Sequence, residues 1–181
     1  GKTINFDAQK VWDRMGKHSV VAGINWKKES FEQKRRELTN WRNHSSFDST
    51  TYPGGLYEIN KGATNNLALF VQDTYRPNFN WAIYTGLRVD RFKKFDGQHV
   101  TYDTTNNRYD TVNHGEGSYT EWSPKLAIEH YVTDSLNVYA SYGHSFNPPP
   151  LSQVYRYSDV VRANPNLDPE RSDTFEIGLK K

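Results

Sequence analysis

Apolar and polar residues alternate with period two in seven stretches of this chain, the mark of strands whose two faces meet different surroundings. In the first, Ile4, Phe6 and Ala8 oppose Asn5, Asp7 and Gln9 as far as Trp12. A Gly-containing turn at 13–17 leads back through Val20, Ala22, Ile24 and Trp26, set against Ser19, Val21, Gly23, Asn25 and Lys27. Leu67, Leu69 and Val71 mark a third strand. Trp81, Ile83, Thr85, Leu87 and Val89 mark a fourth, with Arg88 and Asp90 in the opposite phase. Trp122, Leu126 and Ile128 oppose Ser123, Lys125, Ala127 and Glu129 in the fifth, where Pro124 removes a ladder donor and predicts a strand end or bulge. Leu136, Val138, Ala140 and Tyr142 give the sixth, and Phe175, Ile177 and Leu179 the seventh.

The connections are of two kinds. Short turns at 13–17, 77–80 and 133–135 alternate with long irregular loops at 30–63, 93–117 and 147–171. In the first long loop a helix across Phe31–Leu38 is an option, without a clear apolar face. In the second, Tyr-Asp-Thr recurs on both sides of Asn106 and Asn107 and predicts a hairpin extension. In the third, Pro148, Pro149, Pro150, Pro165 and Pro169 forbid a continuous ladder. Strands of about ten residues with short turns at one end and long loops at the other suit an outer-membrane barrel, whose turns are periplasmic and whose loops are extracellular. Trp12, Tyr75, Trp81 and Tyr131 flank the short turns, where a periplasmic aromatic girdle belongs.

The fold class read from this pattern is all-β: an antiparallel transmembrane β-barrel segment with long extracellular loops. In lipid, Ile83, Leu87 and Val89 point outward and Arg88 and Asp90 into a wet lumen, because Lys or Arg on the lipid face near mid-membrane costs about 2–4 kcal/mol. Seven strands is an odd count, and an open sheet cannot face lipid with unpaired edges. Residues 1–181 are therefore expected to be part of a larger barrel.

Composition narrows the choices little further. The 181 residues have a mean hydropathy of −0.90 and no run of about eighteen apolar residues, which excludes a helical span but not barrel strands. A net charge of +2 is too small to argue for nucleic acid. Without cysteine there is no disulfide framework or thiol chemistry. No GxSxG, phosphate loop or HExxH occurs, and the six histidines have no metal-ligand spacing, so no catalytic residue and no metal site is read.

The last quarter carries a family resemblance. YASYGHSFNPPPLSQVY followed by NPNLDPERSDTFEIGLK resembles the late barrel region of TonB-dependent outer-membrane receptors. There a strand ending Tyr-x-x-x-Phe enters a Pro-rich turn, and an Asn-Pro-x-Leu-x-Pro-Glu segment re-enters the sheet as a strand ending x-Glu-x-Gly-x-Lys. Asn164, Pro165, Asn166, Leu167, Pro169, Glu170, Ser172, Glu176 and Gly178 match. LALFVQDTYR and WAIYTGLRVD resemble a hairpin of the same family. The resemblance implies about seven strands of a 22-stranded barrel in the outer membrane of a Gram-negative bacterium. It implies capture of a ferric siderophore, haem or cobalamin at the extracellular loops, and import energised by TonB, ExbB and ExbD through a plug domain. Plug and TonB box are expected to lie outside residues 1–181.

Candidate site residues each carry a bland alternative. Tyr155, Arg156, Tyr157 and Arg162 combine rings and guanidinium groups suited to an aromatic, anionic ligand, or they pack the loop. His44, His99 and His114 fall in loops, where ligand contact competes with simple solvation. Lys27, Lys28, Lys34, Arg35 and Arg36 suit lipopolysaccharide phosphates, or form a solvated face balanced by Glu29, Glu32 and Glu37. Asp103, Asp110 and Glu116 are weak calcium candidates, with no loop motif behind them. Lumen residues Arg88, Asp90, Lys125, Glu129 and Glu176 are expected to pair with one another or with a plug. Two other classes stay open: a passive porin or adhesin barrel, and a soluble all-β binding module that buries the Leu87/Val89 face under a second sheet.

Overall fold

The computed structural model describes residues 1–156, 162–164 and 166–181, with the side chains of Arg14 and Met15 left aside. The strands are β1 (Lys2–Met15), β2 (His18–Arg36), β3 (Leu56–Asn78), β4 (Trp81–Asp103), β5 (Arg108–Asn113), β6 (Gly117–Thr133), β7 (Leu136–Asn147) and β8 (Glu170–Lys180). All pairings are antiparallel, in the order β1-β2-β3-β4-β6-β7-β8, with β5 off the path against the far end of β4. The sheet has eight strands, one more than the seven periodic stretches, because the Tyr-Asp-Thr repeat forms its own hairpin arm. β1 and β8 are its two edges, so the barrel is not closed within these residues.

All seven apolar phases fall on one face. Ala8, Ile24, Leu69, Val89 and Trp122 share one row across five strands. Ile83, Ile128, Ala140 and Ile177 share another. This belt is open: Leu69 is 58 % exposed, Trp122 58 % and Ile177 87 %. No second sheet covers it among the described residues. A contiguous apolar face of this breadth in water would drive association, so its natural solvent is hydrocarbon.

At one end two-residue turns join the strands at 16–17, 79–80 and 134–135. At the other end the ladders run much farther than the alternation suggests. β2 continues to Arg36, β3 begins at Leu56 and β4 reaches Asp103, so both ends of the loop expected at 30–63 and most of the loop expected at 93–117 are strand. The helix considered across Phe31–Leu38 is absent; Phe31 to Arg36 pair with Gly62 to Leu56 instead. β3 and β4 each have 23 residues. At about 3.3 Å per residue they far exceed a bilayer core of about 30 Å. Beyond the belt both faces are wet, so the two-fold pattern fades while backbone pairing persists.

One irregularity sets the geometry of these extensions. Lys61 pairs with Gln98 but Ala63 with Phe95, so β4 carries an extra residue, and Asp96 there has φ +56. The bulge reverses the phase of β4. Above it His99 and Thr101, rather than even-numbered residues, lie beside Asn60 and Glu58 on the polar side. The β7–β8 connection contains a short helix, α1 (Leu151–Tyr155), which packs on β3 and β4.

Candidate functional site

The polar face has an ionic core within the belt. Arg88 donates from its Nε and Nη2 to both oxygens of Asp90 at 2.8 Å, and Asn66 Nδ2 donates to Asp90 Oδ1 at 2.8 Å. Asp90 is 1 % exposed. Residues two apart in a strand share a face, so the alternation that hides the apolar residues from water also brings this pair together. Arg171 of β8 makes a forked contact with buried Glu121 of β6, with Nε donating to Oε2 at 3.1 Å. Toward the short turns Glu129 accepts from Tyr84 at 3.1 Å, from Tyr131 at 3.0 Å and from Asn137. Lys125 and Glu176 line one open groove on this face, with Gln72, Thr74 and Thr174.

A second cluster occupies the outer extensions. Buried Glu58 accepts from Arg35 Nη1 at 2.8 Å and from Asn60 Nδ2 at 2.9 Å, and lies 3.2 Å from His99 Nε2. Beside it Tyr155, at the end of α1, is completely buried. Its ring fills a slot made by two glycines: a Cβ on Gly62 or on Gly97 would come within 2.2 Å of ring carbons. The His114 imidazole stacks on the same ring, with centroids 5.8 Å apart. Burial, reinforced by the nearby His99, holds the His114 pKa below the ordinary imidazole value. Burial pushes the Tyr155 phenol up. Lys94, also buried, reaches the Leu167 carbonyl at 3.4 Å and ties down the re-entering segment.

The structure sorts the sequence candidates. Tyr155 and His114 meet, but as packing partners, with the tyrosine ring shut away from any ligand space; Arg156 and Arg162 are exposed, and Tyr157 lies outside the described residues. His44 is exposed in the 37–55 loop. The basic cluster divides by phase. Lys28, Lys34 and Arg36 lie on the belt side, whereas Lys27 and Arg35 lie on the polar side, paired with Glu29 at 2.7 Å and with Glu58. The calcium candidates are spread over separate partners. Asp103 caps its own turn at Thr105 and Asn106, Asp110 pairs with Arg108 at 3.0 Å, and Glu116 with Lys93 at 2.7 Å. No cluster of three metal-ligating side chains occurs among the described residues.

Glu58, Asn60, Glu121 and the glycine slot escaped sequence reading. Gly62 and Gly97 lie in segments that read as loops from the sequence; an isolated glycine signals close approach by another group only once its segment is seen to be strand.

A two-faced sheet of this register, with its turns short at one end only, matches known proteins. The family described as TonB dependent receptor-like, beta-barrel, aligns with residues 2–180. The chain belongs to that family. It is a family of receptors and transporters of the Gram-negative outer membrane. The vitamin B12 transporter BtuB of Photobacterium profundum is 29 % identical over 144 residues, which are 80 % of this chain and 21 % of that protein. The chain thus spans about a fifth of this relative. The ferric-catecholate import receptor Fiu of Escherichia coli K12, in its closed form, superposes with a TM-score of 0.68 at 20 % identity, over 98 % of this chain and 28 % of Fiu. The copper transporter OprC gives 0.68 at 18 %, over 98 % and 27 %. These structures share the fold of the barrel wall.

Proposed function

We propose that these residues form part of the wall of an active outer-membrane receptor that binds a ferric siderophore, or haem or cobalamin, at its extracellular end and imports it with energy from TonB, ExbB and ExbD. The observation that carries this reading is the segregation of the sheet: an open apolar belt, a buried ionic face, short turns at one end and long paired extensions at the other. The extensions rise above the belt on the side of the long loops, and α1 folds over their polar side. On this reading exposed Arg156, and Arg162 farther along the chain, stand at the mouth of the lumen, where guanidinium groups attract anionic complexes. Tyr157 and His44 belong to the same set of loop candidates. In the Arg88–Asp90 and Arg171–Glu121 pairs the carboxylates are buried and the arginines reach the surface, and we assign both pairs a structural role.

The test is uptake. Deleting the receptor should abolish growth on one member of a panel of ferric siderophores, haem and cobalamin, and deleting TonB should reproduce that loss. Unchanged uptake of every compound would instead support a passive barrel.

A further inference from the structure

On the lipid side, the rows directly above the apolar belt hold a cluster of cations. Trp26, Leu67, Arg91 and Thr120 share one row, and Lys28, Asn65, Lys93 and Ser118 share the next. Arg91 is held between two hydroxyls, donating to Thr120 Oγ1 at 3.0 Å and to Ser118 Oγ at 3.0 Å. The Phe95 ring supports both lysines, with Lys28 Nζ 5.5 Å and Lys93 Nζ 5.8 Å from its centroid. One carboxylate intrudes: exposed Glu116 pairs with Lys93 at 2.7 Å.

Glu116 offsets one charge, but three cations beside one carboxylate leave an excess of positive charge that favours a further anion. Arg91 is exposed on a face where Leu67 shares its row and Leu69, Val89 and Trp122 form the next row inward, so it stands at the level where acyl chains give way to headgroups. Serine and threonine hydroxyls on β6 beside the Arg91 guanidinium, with the Lys93 ammonium farther along β4 and the Lys28 ammonium on β2, are donors that suit phosphate.

We propose that Lys28, Arg91 and Lys93, with Ser118 and Thr120, form a binding site for the phosphorylated headgroup of an outer-leaflet glycolipid, whose acyl chains lie along Trp26, Leu67, Leu69 and Trp122. This rests on reading the belt as the lipid face. It revises the basic cluster seen in the sequence: Lys27 and Arg35 face the other way and take no part.

The test uses the full-length receptor in nanodiscs doped with bis-phosphorylated lipid A or with its dephosphorylated form, with retained lipid counted by native mass spectrometry. The wild-type protein should retain the phosphorylated form selectively. The triple variant Lys28→Gln, Arg91→Gln, Lys93→Gln should retain about a hundredfold less, whereas Lys27→Gln should match wild type. Equal retention of both lipids by the wild-type protein would overturn the site without recourse to any variant, as would full retention by a triple variant that keeps the heat-resistant gel mobility of a folded barrel. A receptor that enters no nanodisc at all would overturn the lipid reading of the belt itself, a distinct failure.

Discussion

The belt and the outer extensions are the same ladders, β2 to β4, yet they follow opposite rules. In the belt the large apolar residues are exposed and Asp90 is buried. In the extensions a tyrosine is the best-buried large side chain, and glycines rather than alternation decide which faces meet. The difference is one of solvent. Hydrocarbon on one side and water on the other force period two, whereas with water on both sides only specific packing chooses a face.

The largest effect should come from the extensions. Tyr155→Ala should cost the docking of α1 about 3–5 kcal/mol, as for other buried rings cut back to alanine. Limited proteolysis of the full-length receptor should then cut the 148–169 connection readily while the barrel stays folded. A charge scan then sets the two regions against each other. Leu69→Arg should destabilise insertion by about 2–4 kcal/mol in lipid-refolding titrations, and Val100→Arg, on the outward face above the bulge, should have almost no effect. Next, Gly62→Ala would force a methyl into the Tyr155 ring and should cost about 1–3 kcal/mol of α1 docking. If Gly62→Ala left proteolysis unchanged, the slot would not be what holds the excursion.

These two rules also explain what the sequence disclosed. The belt could be read residue by residue, because every strand except β5 repeats the same solvent boundary from Ile4 to Leu179. The Arg88–Asp90 pair was foreseeable for the same reason, being two apart in a strand of known phase. The extensions were not legible. Phe31 to Arg36 lack alternation because neither face meets lipid, and their pairing with Gly62 to Leu56 is fixed by a register set farther down the hairpin. The burial of Tyr155 depends on a bulge at Asp96 that turns Gly97 toward Gly62, a relation between residues that no local pattern encodes. The cation cluster was hidden differently: Arg91 and Lys93 are two apart in β4, but Lys28 and the hydroxyls of Ser118 and Thr120 become their neighbours only across strands.

The smallest expected effect is on pH. His114 has a lowered pKa in the folded extension, so the docking energy it contributes is fully present above the ordinary imidazole pKa of 6.5 and is lost as pH falls below it. Proteolysis of the 148–169 connection should therefore rise on acidification, and His114→Gln should flatten that dependence. The belt should show no matching change.

The most direct measurement places single cysteines from Ile83 to Asp90 in the full-length receptor, against a stretch of 181 residues that has none of its own, and attaches nitroxide labels in a bilayer. Labels at residues 83, 85, 87 and 89 should be accessible to oxygen dissolved in lipid, and those at 84, 86, 88 and 90 should be shielded from it. Uniform accessibility along the strand, or the opposite alternation, would contradict a sheet whose apolar belt faces lipid.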